Sequence, residues 1–140
     1  MDASESDIEP VRRVEAALRS LGATGGDWTR RTEEPSWFVE WVGDLIDVEV
    51  YIGLMGHGQR PDMVRVLLDD WVFDHVVVDH LDPFLRAVSS GRARLTDERW
   101  LLLFTSQVLE IPVGDRSYFA SRAVQHRDSL AEWERNLFVD

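Results

Sequence analysis

The chain has 140 residues, of which 44% are hydrophobic and 29% charged, with a net charge of -11 and no cysteine. That length provides for one hydrophobic core, and the composition is that of a folded chain rather than a disordered one. The charge argues against a phosphate-binding surface, which would be basic, and the missing thiols exclude a disulfide framework, a thiolate metal centre and a cysteine nucleophile.

Six Trp and six Phe supply bulky core material, so residues 1–140 are expected to fold as a single domain behind a frayed tail at 1–6. The first residues, Met1-Asp2-Ala3-Ser4-Glu5, carry neither a basic n-region nor an apolar h-region. No apolar run approaches the ~20 residues needed to span a bilayer. The expected location is therefore the cytoplasm. All fifteen basic residues are Arg, for which the codon bias of a GC-rich genome is a sufficient reason. The acidic balance disfavours nucleic acid and anionic membranes as partners, and it would steer a cationic partner inward.

The first predicted element is a helix over 8–21. Ser6 and Glu9 have capping-box spacing, Pro10 suits the first turn, and Gly22 suits the left-handed position past the end. Val11, Val14, Leu18 and Leu21 share its apolar face. The period then changes to two. Trp28, Arg30 and Thr32 define one strand, Glu34-Pro35 a turn, and Trp37, Val39 and Trp41 one face of the next strand. Gly43-Asp44 has the composition of a hairpin turn. The third strand alternates Ile46, Val48, Val50 and Ile52 against Asp47, Glu49 and Tyr51, as in an antiparallel sheet with one wet face.

Residues 53–61 read as a glycine-rich loop, and Met63 to Leu68 as a fourth strand. Residues 69–81 suit either a buried strand or a buried helix. Asp82-Pro83 opens a short helix that runs through Val88 and closes at Gly91. Strands follow at 99–104 and 107–113, unless Thr96 caps a helix running to Leu109. A long last helix is expected over 116–138, where Phe119, Ala123, His126, Leu130, Trp133 and Leu137 repeat at spacings of four and three. The expected fold is α+β. It has an antiparallel sheet of five to six strands, with an N-terminal helix, a short central helix and a long C-terminal helix packed mainly on one face.

Two constellations carry candidate chemistry. Asp69, Asp70, Asp74, Asp79 and Asp82 crowd around His75 and His80, residue types that ligate divalent metals or form acid–base pairs. His75, Asp79 and His80 are the candidate ligands, but neither a helix nor a strand would bring both histidines to one ion. The other glycine and histidine cluster, around His57, lacks the spacing and the Lys-Ser/Thr of a phosphate loop. The second constellation is electrostatic. Asp44, Asp47, Glu49, Asp69, Asp70 and Asp74 would form an acidic platform for a basic protein, with Trp71, Trp37 or Trp41 as aromatic anchors.

The sequence is expected to encode a small binding protein of the cytoplasm. Its kind would be a bacterial immunity protein or antitoxin that blocks a basic effector, or a dedicated chaperone acting as a homodimer. No cofactor is expected. The competing class is a small metal-dependent or acid–base enzyme using Asp74, His75, Asp79 and His80.

Overall fold

A computed structural model describes residues 8–30, 37–45, 48–56, 60–100, 104–123 and Glu134. The expectations placed on residues 1–6, Thr32, Glu34-Pro35, Ile46, Asp47, His57, His126, Leu130, Trp133 and Leu137 lie outside the described residues.

Helix α1 spans Glu9–Ser20. Pro10 lies in its first turn, and Val11, Val14, Ala17 and Leu18 form its buried stripe. Gly22 follows at φ 79, where a side chain would be strained. Five strands then pair in chain order as an antiparallel meander: β1 (Trp28–Arg30), β2 (Phe38–Leu45), β3 (Val48–Gly56), β4 (Met63–Leu68) and β5 (Trp71–Val77). A 3-10 turn at Val78–His80 leads into α2 (Leu81–Ser89). Strands β6 (Arg94–Trp100), β7 (Phe104–Val113) and β8 (Arg116–Ala123) make a second, three-stranded meander. Helix α1 packs on α2, α2 on β7, and β8 runs beside β5. The buried sides of both helices and both sheets share one continuous cluster.

The described residues are therefore mostly sheet, with eight strands in two sheets rather than five or six in one. The long C-terminal helix packed on a sheet is replaced, over 116–123, by β8. Gly114, at φ 63, occupies the first central position of a two-residue hairpin that pairs Val113 with Arg116 and folds the chain back on β7. Once paired, the segment buries Ala120 and exposes Phe119, so the period of two prevails over the four-residue spacing of Phe119 and Ala123. The helix considered from Thr96 to Leu109 is likewise absent, because β6 and β7 pair from Arg94–Glu110 to Trp100–Phe104.

Glycine misled the reading twice. Gly43-Asp44 is not a turn, since both residues continue β2 opposite Val50 and Glu49. Gly43 leaves room for an indole: a Cβ there would sit 2.4 Å from Cζ2 of Trp41. Gly53 and Gly56 are not loop but strand β3, and a Cβ on Gly56 would sit 2.4 Å from Nε1 of Trp37. Segment 69–81, open between strand and helix, is a two-residue turn, strand β5 and the start of α2.

The two meanders meet at a buried polar joint. Trp71 on β5 is fully buried, and its indole Nε1 donates to Oε2 of Glu134 at 2.8 Å. The guanidinium of Arg122, on β8, stacks over the same ring, 4.1 Å from its centroid. Arg122 also lies 2.5 Å from the Glu134 carboxylate and donates from Nε to Gln107 of β7 at 3.2 Å. A buried ion pair gains little over a hydrophobic pair of the same shape, but a lone buried charge is costly. Glu134→Gln should therefore destabilise the fold by about 3 kcal/mol, read as a lower urea midpoint at unchanged slope. Replacing Arg122 and Glu134 together by Met should recover only part of that loss, because the buried Trp71 indole N–H then has no acceptor.

Candidate functional site

The register of the five-stranded sheet sorts its residues onto two faces. Val39, Trp41, Val50, Ile52, Leu54, Val64, Val66, Leu68, Trp71 and Phe73 face the core and are buried. The alternate positions face away from it. There β2 presents Phe38, Glu40, Val42 and Asp44, while β3 presents Glu49, Tyr51, Gly53 and Met55. Strand β4 adds Arg65 and Leu67, and β5 adds Val72 and Asp74. Val42 is 48% and Val72 45% exposed, so apolar surface lies open on this face.

Gly53 fixes the middle of the face. A Cβ at that position would meet the Tyr51 hydroxyl at 2.9 Å, Phe38 Cε1 at 3.2 Å and Leu67 Cβ at 3.3 Å. The two aromatic side chains thus lie over bare backbone. The Tyr51 hydroxyl donates to Oε2 of Glu40 at 2.6 Å, which sets the phenol beside a carboxylate. Asp27, Thr29, Glu40, Val42 and Tyr51 line a shallow groove of about 280 Å3 next to this pair.

The structure brings part of the acidic constellation together. Asp44 and Glu49 are exposed and directly opposite one another across β2 and β3. Neither has a cationic partner among the described residues. Like charges facing each other across a ladder destabilise it by roughly 0.2–1 kcal/mol. The turn bearing Asp69 and Asp70 lies at the same end of the sheet, because Asp69 and Tyr51 exchange contacts. Asp74 sits farther along β5 and pairs with Arg65 at 3.0 Å. Asp47 lies outside the described residues.

Two members of the constellation act on the fold. Asp69 holds φ 50, a left-handed conformation that Asp tolerates better than most residues. From there its Oδ1 accepts the backbone N–H of Tyr51 at 3.0 Å, while its own N–H donates to the Tyr51 carbonyl at 3.0 Å. Trp71 is in the core and offers no surface to a partner, and Trp41 is only 4% exposed. The exposed apolar groups that the tryptophan argument overlooked are Val42 and Val72. Their sequence parity with Asp44, Asp70 and Asp74 was the signal that places them on the wet face.

The histidine segment is dispersed. His75 is exposed on β5. His80 Nδ1 lies 2.7 Å from the Tyr118 hydroxyl, which also accepts the Val77 N–H at 3.2 Å. Asp79 pairs with Arg13 of α1 at 3.1 Å. Arg13 also donates to Glu9, and that hydrogen bond first, with the nearby Arg12 charge second, holds the Glu9 carboxyl below the usual carboxylate range. These pairings join α1 to the approach to α2. Among the described residues no three His, Asp or Glu side chains converge on one metal position.

The architecture defines a two-sheet antiparallel protein with one sheet face open and acidic. No protein-family model matches the chain, and comparison with curated proteins and with solved structures also finds no match. Among the described residues no helix is long and apolar enough to cross a membrane.

The two roles within the acidic turn can be separated by mutation. Asp69→Asn keeps both an acceptor and a tolerance of positive φ, and should leave stability nearly unchanged. Asp69→Ala should cost about 1–2 kcal/mol in denaturant unfolding. Asp70→Asn, at the neighbouring exposed position, should change stability by less than about 0.5 kcal/mol.

Proposed function

We propose that this protein binds a basic partner protein through the open face of its five-stranded sheet, as an inhibitor of the immunity or antitoxin kind or as a dedicated chaperone. The carrying observation is the opposed pair Asp44 and Glu49, exposed and without a cation among the described residues. A guanidinium or ammonium group from a partner would bridge the two carboxylates and relieve their repulsion. Val42 and Val72 add apolar area that a partner would bury, which gives the face more than charge.

The groove beside Tyr51 supports arginine as the recognised side chain. A planar guanidinium would stack on the phenol, its stem would cover Val42, and its fork would meet Asp27 or Glu40. The net charge of -11 would draw a cationic partner in faster than diffusion alone and would keep nucleic acid away.

The reading is tested by capture from a lysate of the source cells, comparing the wild type with Asp44→Asn/Glu49→Gln. One basic protein should be retained at low salt and lost at high salt. Neutralising the pair should slow its association roughly tenfold at low salt, while the melting temperature of the free protein holds or rises. Many clients held in small amounts would favour the chaperone form. A partner bound equally well by both versions would contradict the proposal.

A further inference from the structure

A second groove lies on the other side of β1 from Tyr51, between that strand and α1. It holds about 320 Å3, and its walls include Leu18, Ala23, Gly26, Asp27, Trp28 and Trp41. Trp28 stands directly opposite Trp41 in the β1–β2 ladder. Neither indole has an aromatic or cationic partner among the described residues. Trp41 is 4% exposed, and its Nε1 meets no acceptor among the described residues. Two glycines show how the ring lies. A Cβ on Gly26 would sit 2.4 Å from Trp41 Nε1, and one on Gly43 would sit 2.4 Å from Cζ2. Gly26 is a wall of the groove, so the nitrogen edge of the indole is the edge turned towards it. The loop around it is held at both ends. The Ala23 N–H donates to the Leu18 carbonyl at 2.9 Å, and Thr24 and Asp44 exchange two backbone hydrogen bonds at 2.9 Å.

We propose that this groove binds a small organic cation that carries an acceptor oxygen. The oxygen takes the Trp41 indole N–H, a nearly buried donor with no other partner. The alkyl body of the ligand lies along Leu18, Ala23 and the Trp28 ring. Its cationic group stays at the rim, where three features favour positive charge. Asp27 is exposed there and has no cationic partner among the described residues. Leu18 and Arg19 belong to the last turn of α1, whose carbonyls carry the negative end of the helix dipole. The Trp28 ring offers a π face to a cation. Arg19, the one cation on the walls among the described residues, is already held by Glu15 at 3.1 Å, so an anion would find no free positive charge. The volume is near the lower end of the range for small-molecule sites, about 300–1,000 Å3, which sets the size of the ligand. Asp27 also lines the groove beside Tyr51, but among the described residues the two grooves share no other wall.

The Trp41 indole N–H signal in heteronuclear spectra of the labelled full chain reads the outcome directly. Three probes separate the contributions: acetylcholine, its uncharged isostere with carbon in place of the nitrogen, and pentyltrimethylammonium, which keeps the charge but has no oxygen. Acetylcholine should move the Trp41 signal saturably, with a dissociation constant on the order of 1 mM or lower. Each of the other two should bind about tenfold more weakly or worse. Asp27→Asn should weaken acetylcholine binding roughly fivefold and leave the melting temperature unchanged, because the carboxylate is exposed and unpaired. Glu40→Gln, which alters only the groove beside Tyr51, should leave the binding unchanged. A Trp41 signal that acetylcholine does not move would overturn the proposal. So would equal binding of either control probe, or binding lost in Glu40→Gln and kept in Asp27→Asn.

Discussion

The indole nitrogen of Trp71, sealed in the core, has to find an acceptor there, and the one it finds is a carboxylate. A buried indole N–H without a partner costs about 1–3 kcal/mol, and a buried carboxylate without a cation costs more. Glu134 therefore requires Arg122, and Arg122 in turn uses the Trp71 ring as a platform and Gln107 as a further acceptor. Each group is tolerable only because the others are present. The terminal nitrogens of Arg122 meet Glu134 and Asp70 by proximity rather than along aligned hydrogen bonds, so their attraction is mainly ionic. Since Trp71 belongs to the five-stranded meander and Arg122 and Gln107 to the three-stranded one, this joint sets how the two sheets share a core.

The placement of the functional surfaces follows. The five-stranded sheet has one face committed to the shared core, and the other must carry whatever the alternate residues bring. Those residues include Asp44, Glu49, Val42 and Val72, a combination that is poor for the isolated protein and good for an interface. The local cost is absorbed by the core, which buries Ile52, Leu54, Val66 and Leu68 directly beneath. Gly53, Tyr51 and Glu40 then shape the middle of the face, where an aromatic ring and a carboxylate stand together over bare backbone.

Strand 63–68 and the 48–52 part of β3 were legible because their alternation matched the real burial, and α1 because its apolar spacing and Gly22 agreed. The errors came from residues whose local signal was outweighed by a distant contact. Gly56 read as a loop residue because the Trp37 indole lying over it comes from a position that only the fold brings near, whereas Gly43 makes room for Trp41, two residues back on its own strand. Residues 116–123 carried the first part of a helical stripe, yet the Gly114 hairpin delivered them to β7. The acidic platform was legible as composition, and its division was not. Asp69 serves the backbone of Tyr51, Asp74 serves Arg65, and only Asp44 and Glu49 face each other across the ladder. Cross-strand register decides this, and register is not printed in any one strand.

The central claim is that the open acidic face is where a basic partner binds. Its most direct measurement is amide chemical-shift mapping of the labelled protein titrated with an arginine-rich peptide, alongside a lysine peptide of equal charge. The account predicts saturable shifts confined to the amides of Val42, Asp44, Glu49, Tyr51 and Val72, larger for the arginine peptide and suppressed by salt. Shifts centred on β6–β8, or uniform weak shifts with no difference between the two peptides, would contradict it.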